Sequence, residues 1–362
     1  MPAAPRILIY TLTLLLFTDA TARIAQSDDR FLIPPSITDL GTQMVEFAFA
    51  RIGHPIEHQT FVFGGDIPPP KNLHTLPAHP LSDVRFSVIA DSQGDAYDGR
   101  WVSSAIESHL SDFVIHAGDV VGNGQDSTEW AQYFDAMKDL VRTRFVATVI
   151  GNHDYDQYDH SPPDGWRTKP SATIWDALYR GRRWRKIEYP QLVLYLLDSN
   201  LHSMAESAWQ EQLAWLQDEL RKPNPENRLR LAAFHHPPYS QSVHNWDAIR
   251  NSDTQPHEYL RLRSEIVPLL EKFGVKVVFN GHAHHFERSE KDGVTYLTAG
   301  AINTYRMLPS VPKTLHDNVY SKNLATLQWT ITHCTLQPTL RTLGCKTLNR
   351  KQVELDRFSV TY

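Results

Sequence analysis

The chain has 362 residues, 41% hydrophobic and 21% charged, enough apolar material for a large core and too much for a disordered polypeptide. Its formal net charge of -5 gives no long-range attraction to nucleic acid or to an anionic membrane, so no partner of either kind is expected. Only two cysteines are present, Cys334 and Cys345, too few to build a metal site.

At the amino terminus Arg6 precedes an apolar run from Ile7 to Phe17, followed by Ala20, Thr21 and Ala22. These are the charged, apolar and small-residue parts of a secretory signal peptide cleaved after Ala22. The run is about half the roughly 20 residues that span a bilayer, so a secreted or periplasmic protein is expected, with an uncleaved anchor as the alternative. Residues 23–82 read as an extension. Within it Ile37 to Ile52 fits a helix and a strand equally well, and Pro68, Pro69, Pro70, Pro77 and Pro80 mark a linker.

From residue 83 to 362 the texture is that of one domain. "RFSVIADSQGD" is an apolar strand ending in polar residues, a helix is expected around Trp101 to Leu110, and "DFVIHAGDVVGNG" is a second strand running into a glycine-rich loop. A helix over Ser127 to Val141 places Trp130, Phe134, Met137 and Val141 on one core-facing stripe and leads to a third strand, "RFVATVIGNHD". Strand and helix alternating at this interval predict an α/β domain with parallel strands. The basic run from Arg180 to Lys186 reads as a solvated face. Next come the strand "LVLYLLDSN", a helix with Trp209, Leu213, Leu216 and Leu220 on its core side, and the strand "LRLAAFHHPPYS". A helix from Arg263 to Phe273 precedes the strand of "VKVVFNGHAHHFERS", and "GVTYLTAGA" and "ATLQWTITHC" are further strands. Export favours a disulfide between Cys334 and Cys345 across a local hairpin; two buried thiols are the alternative.

Five of these strand ends carry metal-ligand side chains: Asp91 with Gln93, Asp119, the trio Asn152, His153 and Asp154, His235 with His236, and His282 with His284. One such ending is ordinary surface polarity. Five in series, each after an apolar run and each at the carboxyl end where α/β sheets gather their sites, point to a metal centre.

These blocks resemble the calcineurin-like metallophosphoesterase superfamily, whose motifs run D-x-H, G-D, G-N-H-[DE], H and G-H-x-H in the same order over about residues 84 to 305. "GNHD", "HHPPY" and "GHAHHFERS" are most similar to the branch containing purple acid phosphatases. The resemblance implies a sandwich of two mixed β-sheets flanked by helices, and two metal ions drawn from Mn, Fe and Zn. On this pattern Asp91, Gln93 and His284 would hold the first metal, Asp119 would bridge, and Asn152, His235 and His282 would hold the second. A metal-bridging hydroxide would attack a phosphorylated small molecule, a phosphomonoester first, with a phosphodiester or nucleotide pyrophosphate as the alternative. His153 would serve the reaction with Asp154 fixing its orientation, and Asn152 would also contact substrate. His244 resembles a substrate-contacting histidine, or is an ordinary loop residue. Arg288 reads as a structural ion pair rather than a phosphate contact, and His116, His160, His202 and His285 as packed or solvated side chains.

Two departures stand out. Gln93 occupies a position usually held by histidine, and Gly122 stands where purple acid phosphatases carry an iron-binding tyrosine. Metallo-β-lactamases and amidohydrolases, which also use H-x-H, do not fit, because their motifs continue differently or lie near the first strand. A non-catalytic scaffold of the same fold is the remaining rival.

Overall fold

The computed structural model describes residues 79–93, 96–156, 172–179, 183–240, 258–302, 321–325 and 329–362. The signal peptide and most of the extension lie outside the described residues, as do His160, His244, and Arg180, Gly181 and Arg182 of the basic run. Among the described residues no helix is long and apolar enough to cross a membrane.

In chain order the first elements are β1 (Val84–Ile89), α1 (Ala96–His109), β2 (Phe113–His116), α2 (Ser127–Ala136), α3 (Lys138–Thr143) and β3 (Phe145–Thr148). They continue with α4 (Thr173–Tyr179), β4 (Arg185–Glu188), β5 (Leu192–Leu196), α5 (Glu206–Arg221) and β6 (Leu229–Ala233). After these come α6 (Glu258–Arg261), a π-turn (Leu262–Ile266), α7 (Val267–Lys272), β7 (Val277–Asn280), β8 (Phe286–Lys291) and β9 (Val294–Ala299). The chain closes with β10 (Ser321–Ala325), β11 (Thr330–Gln337), β12 (Thr342–Asn349) and β13 (Glu354–Thr361). Six strands form one sheet in the order β13-β12-β11-β1-β2-β3, and seven form another in the order β10-β8-β9-β7-β6-β5-β4. Both are mixed: β1, β2 and β3 run parallel, as do β5, β6, β7 and β9, while the outer strands pair antiparallel.

The near-continuous apolar runs follow from burial on both sides of each strand. Alternate residues, among them Phe86, Ile115, Leu194, Leu231, Phe279 and Leu336, fill the space between the sheets. Their neighbours on the opposite face of the seven-stranded sheet, such as Tyr195, Phe234 and Tyr296, pack against Trp209, Leu216, Ile266 and Leu270 of the helices. On the other side Ile89, Val114 and Ile150 meet Val102, Ile106, Trp130, Met137 and Trp175. The result is helix, sheet, sheet, helix in four layers, with β1, β2, β3, β6 and β7 all delivering their carboxyl ends to one edge.

Two helices differ from expectation. Ser127 to Val141 is broken at Met137 into α2 and α3, where α1 presses close: a Cβ on Gly99 would stand 2.6 Å from that of Ala136. The Arg263 to Phe273 helix starts earlier, at Glu258, and passes through the π-turn because Pro268 offers no N–H and its ring crowds the preceding turn. The basic run is not a solvated face in its described part. Arg183 pairs with Asp176 at 2.8 Å and stacks on Tyr155, Arg185 donates to the Thr148 carbonyl, and Lys186 pairs with Glu188 and Glu219. Neighbouring carboxylates and carbonyls have drawn these cations back onto the protein.

Cys334 and Cys345 are directly opposite on β11 and β12 and are joined in a disulfide, with Cα atoms 4.1 Å apart. Both are buried between the sheets. Closing a loop of this size removes about 2–3 kcal/mol of unfolded-chain entropy. We therefore expect the Cys334→Ala/Cys345→Ala protein to keep its fold and lose about that much stability, read from urea unfolding; an unchanged midpoint would show that the hairpin draws nothing from the bond.

Candidate metal centre

The six-stranded sheet supplies Asp91 after β1, Asp119 after β2 and Asn152 after β3, and the seven-stranded sheet supplies His235 after β6 and His282 and His284 after β7. Each strand ends in a tight loop that folds its polar side chain back over the edge. Asp91, Gln93, Asp119, His282 and His284 all have positive φ, between 43 and 69°. For residues with a Cβ this costs roughly 1–2 kcal/mol each, and such concentrations of strain mark functional loops. Two glycines allow the loops to close in. A Cβ on Gly151 would lie 2.2 Å from the Asp119 backbone nitrogen, and one on Gly281 would lie 2.8 Å from Asp91 Oδ2.

The side chains converge. Asp119 Oδ2 lies 3.2 Å from His235 Nε2 and 3.9 Å from His153 Nε2, while Asp119 Oδ1 accepts the His153 backbone N–H. Asn152 Oδ1 sits between His235 Nε2 at 3.0 Å and His282 Nδ1 at 2.9 Å. Asp91 accepts the His282 backbone N–H with both oxygens and lies 3.5 Å from His284 Nε2, which is 3.4 Å from the Gln93 amide. His235 Nδ1 donates to the Ala117 carbonyl at 2.8 Å, which turns Nε2 toward the centre. Two overlapping groups result, Asp119 with His235 and His282, and Asp91 with Asp119 and His284, each with its ligand atoms within 4.8 Å of one another. Carboxylates with imidazoles suit Zn, Mn or Fe, and the residues fit a pair of such ions sharing Asp119.

The electrostatics are those of crowded like charges. Burial drives Asp91 well above the usual carboxylate range; His235 opposes this and Asp119 adds to it. Burial also acts on Asp119, but His235 and His153 outweigh it and hold this carboxyl low. His235 is buried too, yet Asp119 pushes its imidazole up to about 9. His116, fully buried behind the site with Ser92 Oγ at 3.0 Å, is driven by burial to about 3 and is a packed neutral ring.

One expectation needs correction. Asp154 does not orient His153: its carboxylate accepts the backbone N–H groups of Val120, Val121 and Gly151, stitching the loop after β3 to the loop after β2. The His153 ring is turned instead by the Gly122 carbonyl, 2.8 Å from Nδ1. His236, next to the His235 assigned to the metal, lies outside both ligand groups: its Nδ1 is 2.9 Å from Ser199 Oγ, and its ring is tilted against that of His282 with centroids 4.4 Å apart. Behind it Tyr259 stands edge-on at 5.9 Å. Ser199 and Asn200 follow β5 in "LLDSN", a sixth strand end with the same apolar-then-polar signature. Asn200 bonds the Ile150 carbonyl and Asp198, which in turn accepts the Tyr155 hydroxyl. Arg288 makes a structural ion pair with Asp356, and His285 is buried against Glu287.

Residues 84–286 match the calcineurin-like phosphoesterase domain. Purple acid phosphatase 18 of Arabidopsis thaliana is 23% identical over 66% of this chain and 52% of its own. A second Arabidopsis protein, named probable inactive purple acid phosphatase 24, is 23% identical over 49% of this chain and 29% of its own. The fold is similar to that of purple acid phosphatase PPD1 from yellow lupin seeds, with a TM-score of 0.62 at 13% identity over 81% of this chain and 55% of that one. This chain spans about half or less of the length of the curated relatives it matches.

The strain at the strand ends has a measurable counterpart. Gln93, at φ 43°, is the one of these five left-handed residues that is neither a carboxylate nor an imidazole. Gln93→Gly is expected to raise the stability of the metal-free protein by about 0.5–1 kcal/mol while weakening metal binding. Calorimetric unfolding with and without metal reads both; a destabilised metal-free variant would mean that the loop is not under strain.

Proposed function

Because the chain belongs to the calcineurin-like phosphoesterase family, we propose that it is a two-metal phosphoester hydrolase acting on phosphomonoesters of small molecules. The observation that carries this reading is the pair of ligand groups sharing Asp119. When bound there, two cations activate water as the nucleophile and neutralise the phosphoryl oxygens. The protein supplies the rest. Asp119 and Asp91 set the charge of the cradle, Asn152 offers an amide to the phosphoryl group, and His153 presents Nε2 to the same space, where the doubly protonated ring, its Nδ1–H held by the Gly122 carbonyl, can pass the Nε2 proton to the leaving oxygen. Gln93 makes the first ligand group richer in oxygen than the second, which favours Mn or Fe there, and Gly122 leaves no phenolate to colour an iron site.

Purified protein should carry two metal ions per chain by elemental analysis and lose hydrolysis on chelation. A panel of p-nitrophenyl phosphate, bis-p-nitrophenyl phosphate and nucleotides then orders monoester against diester and pyrophosphate. His153→Ala should keep its metals and lose about 10²- to 10⁴-fold in kcat. Hydrolysis in a rigorously metal-free preparation, or metal binding without turnover of any substrate, would sink the reading, and the second result would favour a scaffold.

Export through the segment ending at Ala22 belongs to the same proposal and rests on the charged, apolar and small-residue order of that segment. The mature protein is then expected outside the cytoplasm with Arg23 as its first residue, which amino-terminal sequencing reads. A retained Met1 in the exported fraction would turn the segment into an anchor.

A further inference from the structure

Glu129 is in the first turn of α2, where a glutamate ordinarily reaches back to the backbone N–H of the capping residue. Here the cap is Asp126, whose side chain accepts the Thr128 N–H. Its own N–H is already taken by the Asn123 carbonyl at 2.9 Å. The Glu129 carboxylate is directed elsewhere: Oε2 accepts the N–H of Gly122 at 2.6 Å and that of Asn123 at 3.2 Å. On the far side of the same peptide segment the Gly122 carbonyl lies 2.8 Å from His153 Nδ1. A carbonyl can only accept, so Nδ1 carries the proton and Nε2 is the nitrogen turned toward Asp119, 3.9 Å away. Side-chain space at position 122 belongs to the same carboxylate, since a Cβ there would meet Glu129 Oε2 at 3.0 Å. A glycine at 122 and a glutamate at 129 therefore form one unit.

We propose that Glu129 is a positioning residue for His153, acting through the Gly122 peptide to fix the ring's orientation and its Nδ1–H tautomer. It touches neither the ligand groups nor the space between them, so its effect passes through a single imidazole. This rests on the reading of His153 as a participant in phosphoester hydrolysis, but the tautomer is a property of the folded chain with or without turnover. Without the carboxylate, the Gly122 and Asn123 N–H groups turn to water, the peptide plane is released, and His153 samples both tautomers.

Three variants of the full chain test this: Glu129→Ala, Glu129→Gln and the double variant Glu129→Ala/His153→Ala. Glu129→Gln keeps an acceptor oxygen for both N–H groups. Imidazole ¹⁵N spectra, with the His153 signal assigned by its loss in His153→Ala, should show the Nδ1–H form in wild type and Glu129→Gln and a mixture of tautomers in Glu129→Ala. In the assay, Glu129→Ala should lower kcat by about 10- to 100-fold with little change in KM and with its metal content intact. Glu129→Gln should recover most of that loss, and the double variant should be no slower than His153→Ala alone. An unchanged His153 signal in Glu129→Ala, or losses that multiply in the double variant, overturns the inference. If wild type hydrolyses no phosphoester, the functional reading fails by itself, and the ring spectra still decide the role of Glu129.

Discussion

Three carboxylates, Asp91, Asp119 and Asp154, are buried close enough at one edge of the molecule to raise or oppose one another's ionisation, and the surrounding structure keeps them there. Burial pushes Asp154 up to about 8, and Asp119 adds to the shift. The Gly151 and Val121 N–H groups pull the other way. Such crowding persists in a fold only where donors or cations compensate it, because an unpaired buried charge costs several kcal/mol. Backbone N–H groups do this for Asp154. For Asp91 and Asp119 the compensation is divided among backbone N–H groups and the imidazoles of the two candidate ligand groups.

The four-layer architecture makes that arrangement possible. Strands buried on both faces are rigid, so their carboxyl ends can hold short strained loops against mutual repulsion. Hydrogen bonds then lock loop to loop: Asp154 ties the loops after β2 and β3, and His235 reaches across to the Ala117 carbonyl. Tyr155 to Asp198, and Asn200 to the Ile150 carbonyl, close the same edge one layer further out. A side chain such as Glu129, remote from the ligand groups, can matter in such a lattice because each loop peptide has bonding partners on both sides.

What could be read in the sequence was whatever repeats in a simple grammar. Apolar runs ending in Asp, Asn or His located the strand ends, and the order of the blocks located the ligand groups, because a strand's direction puts its last residues at the sheet edge. Contacts made through the backbone were hidden. Nothing in "GNHD" says that Asp154 bonds two N–H groups of the loop after β2 besides that of its own Gly151, or that a carbonyl at Gly122 orients His153. The doubled histidine of "HHPPY" gives no sign that the second ring meets Ser199 and His282. The π-turn was written in Pro268, but only as a broken hydrogen bond, not as the turn that would absorb it. Charge runs misled for a related reason: composition counts Arg183, Arg185 and Lys186 as surface charge, whereas Tyr155, Thr148 and Glu219, which hold them to the protein, are distant in sequence.

The ligand residues are divided between the sheets, Asp91, Asp119 and Asn152 from one and His235, His282 and His284 from the other. An ion gripped by both would be a rivet through the seam of the sandwich, its occupancy thermodynamically coupled to the integrity of that seam. At a free metal concentration about 100-fold above the dissociation constant, the coupling adds about 2.7 kcal/mol to the folded state. In the proposed centre, scarcity of metal would then weaken the joint between the halves of the fold.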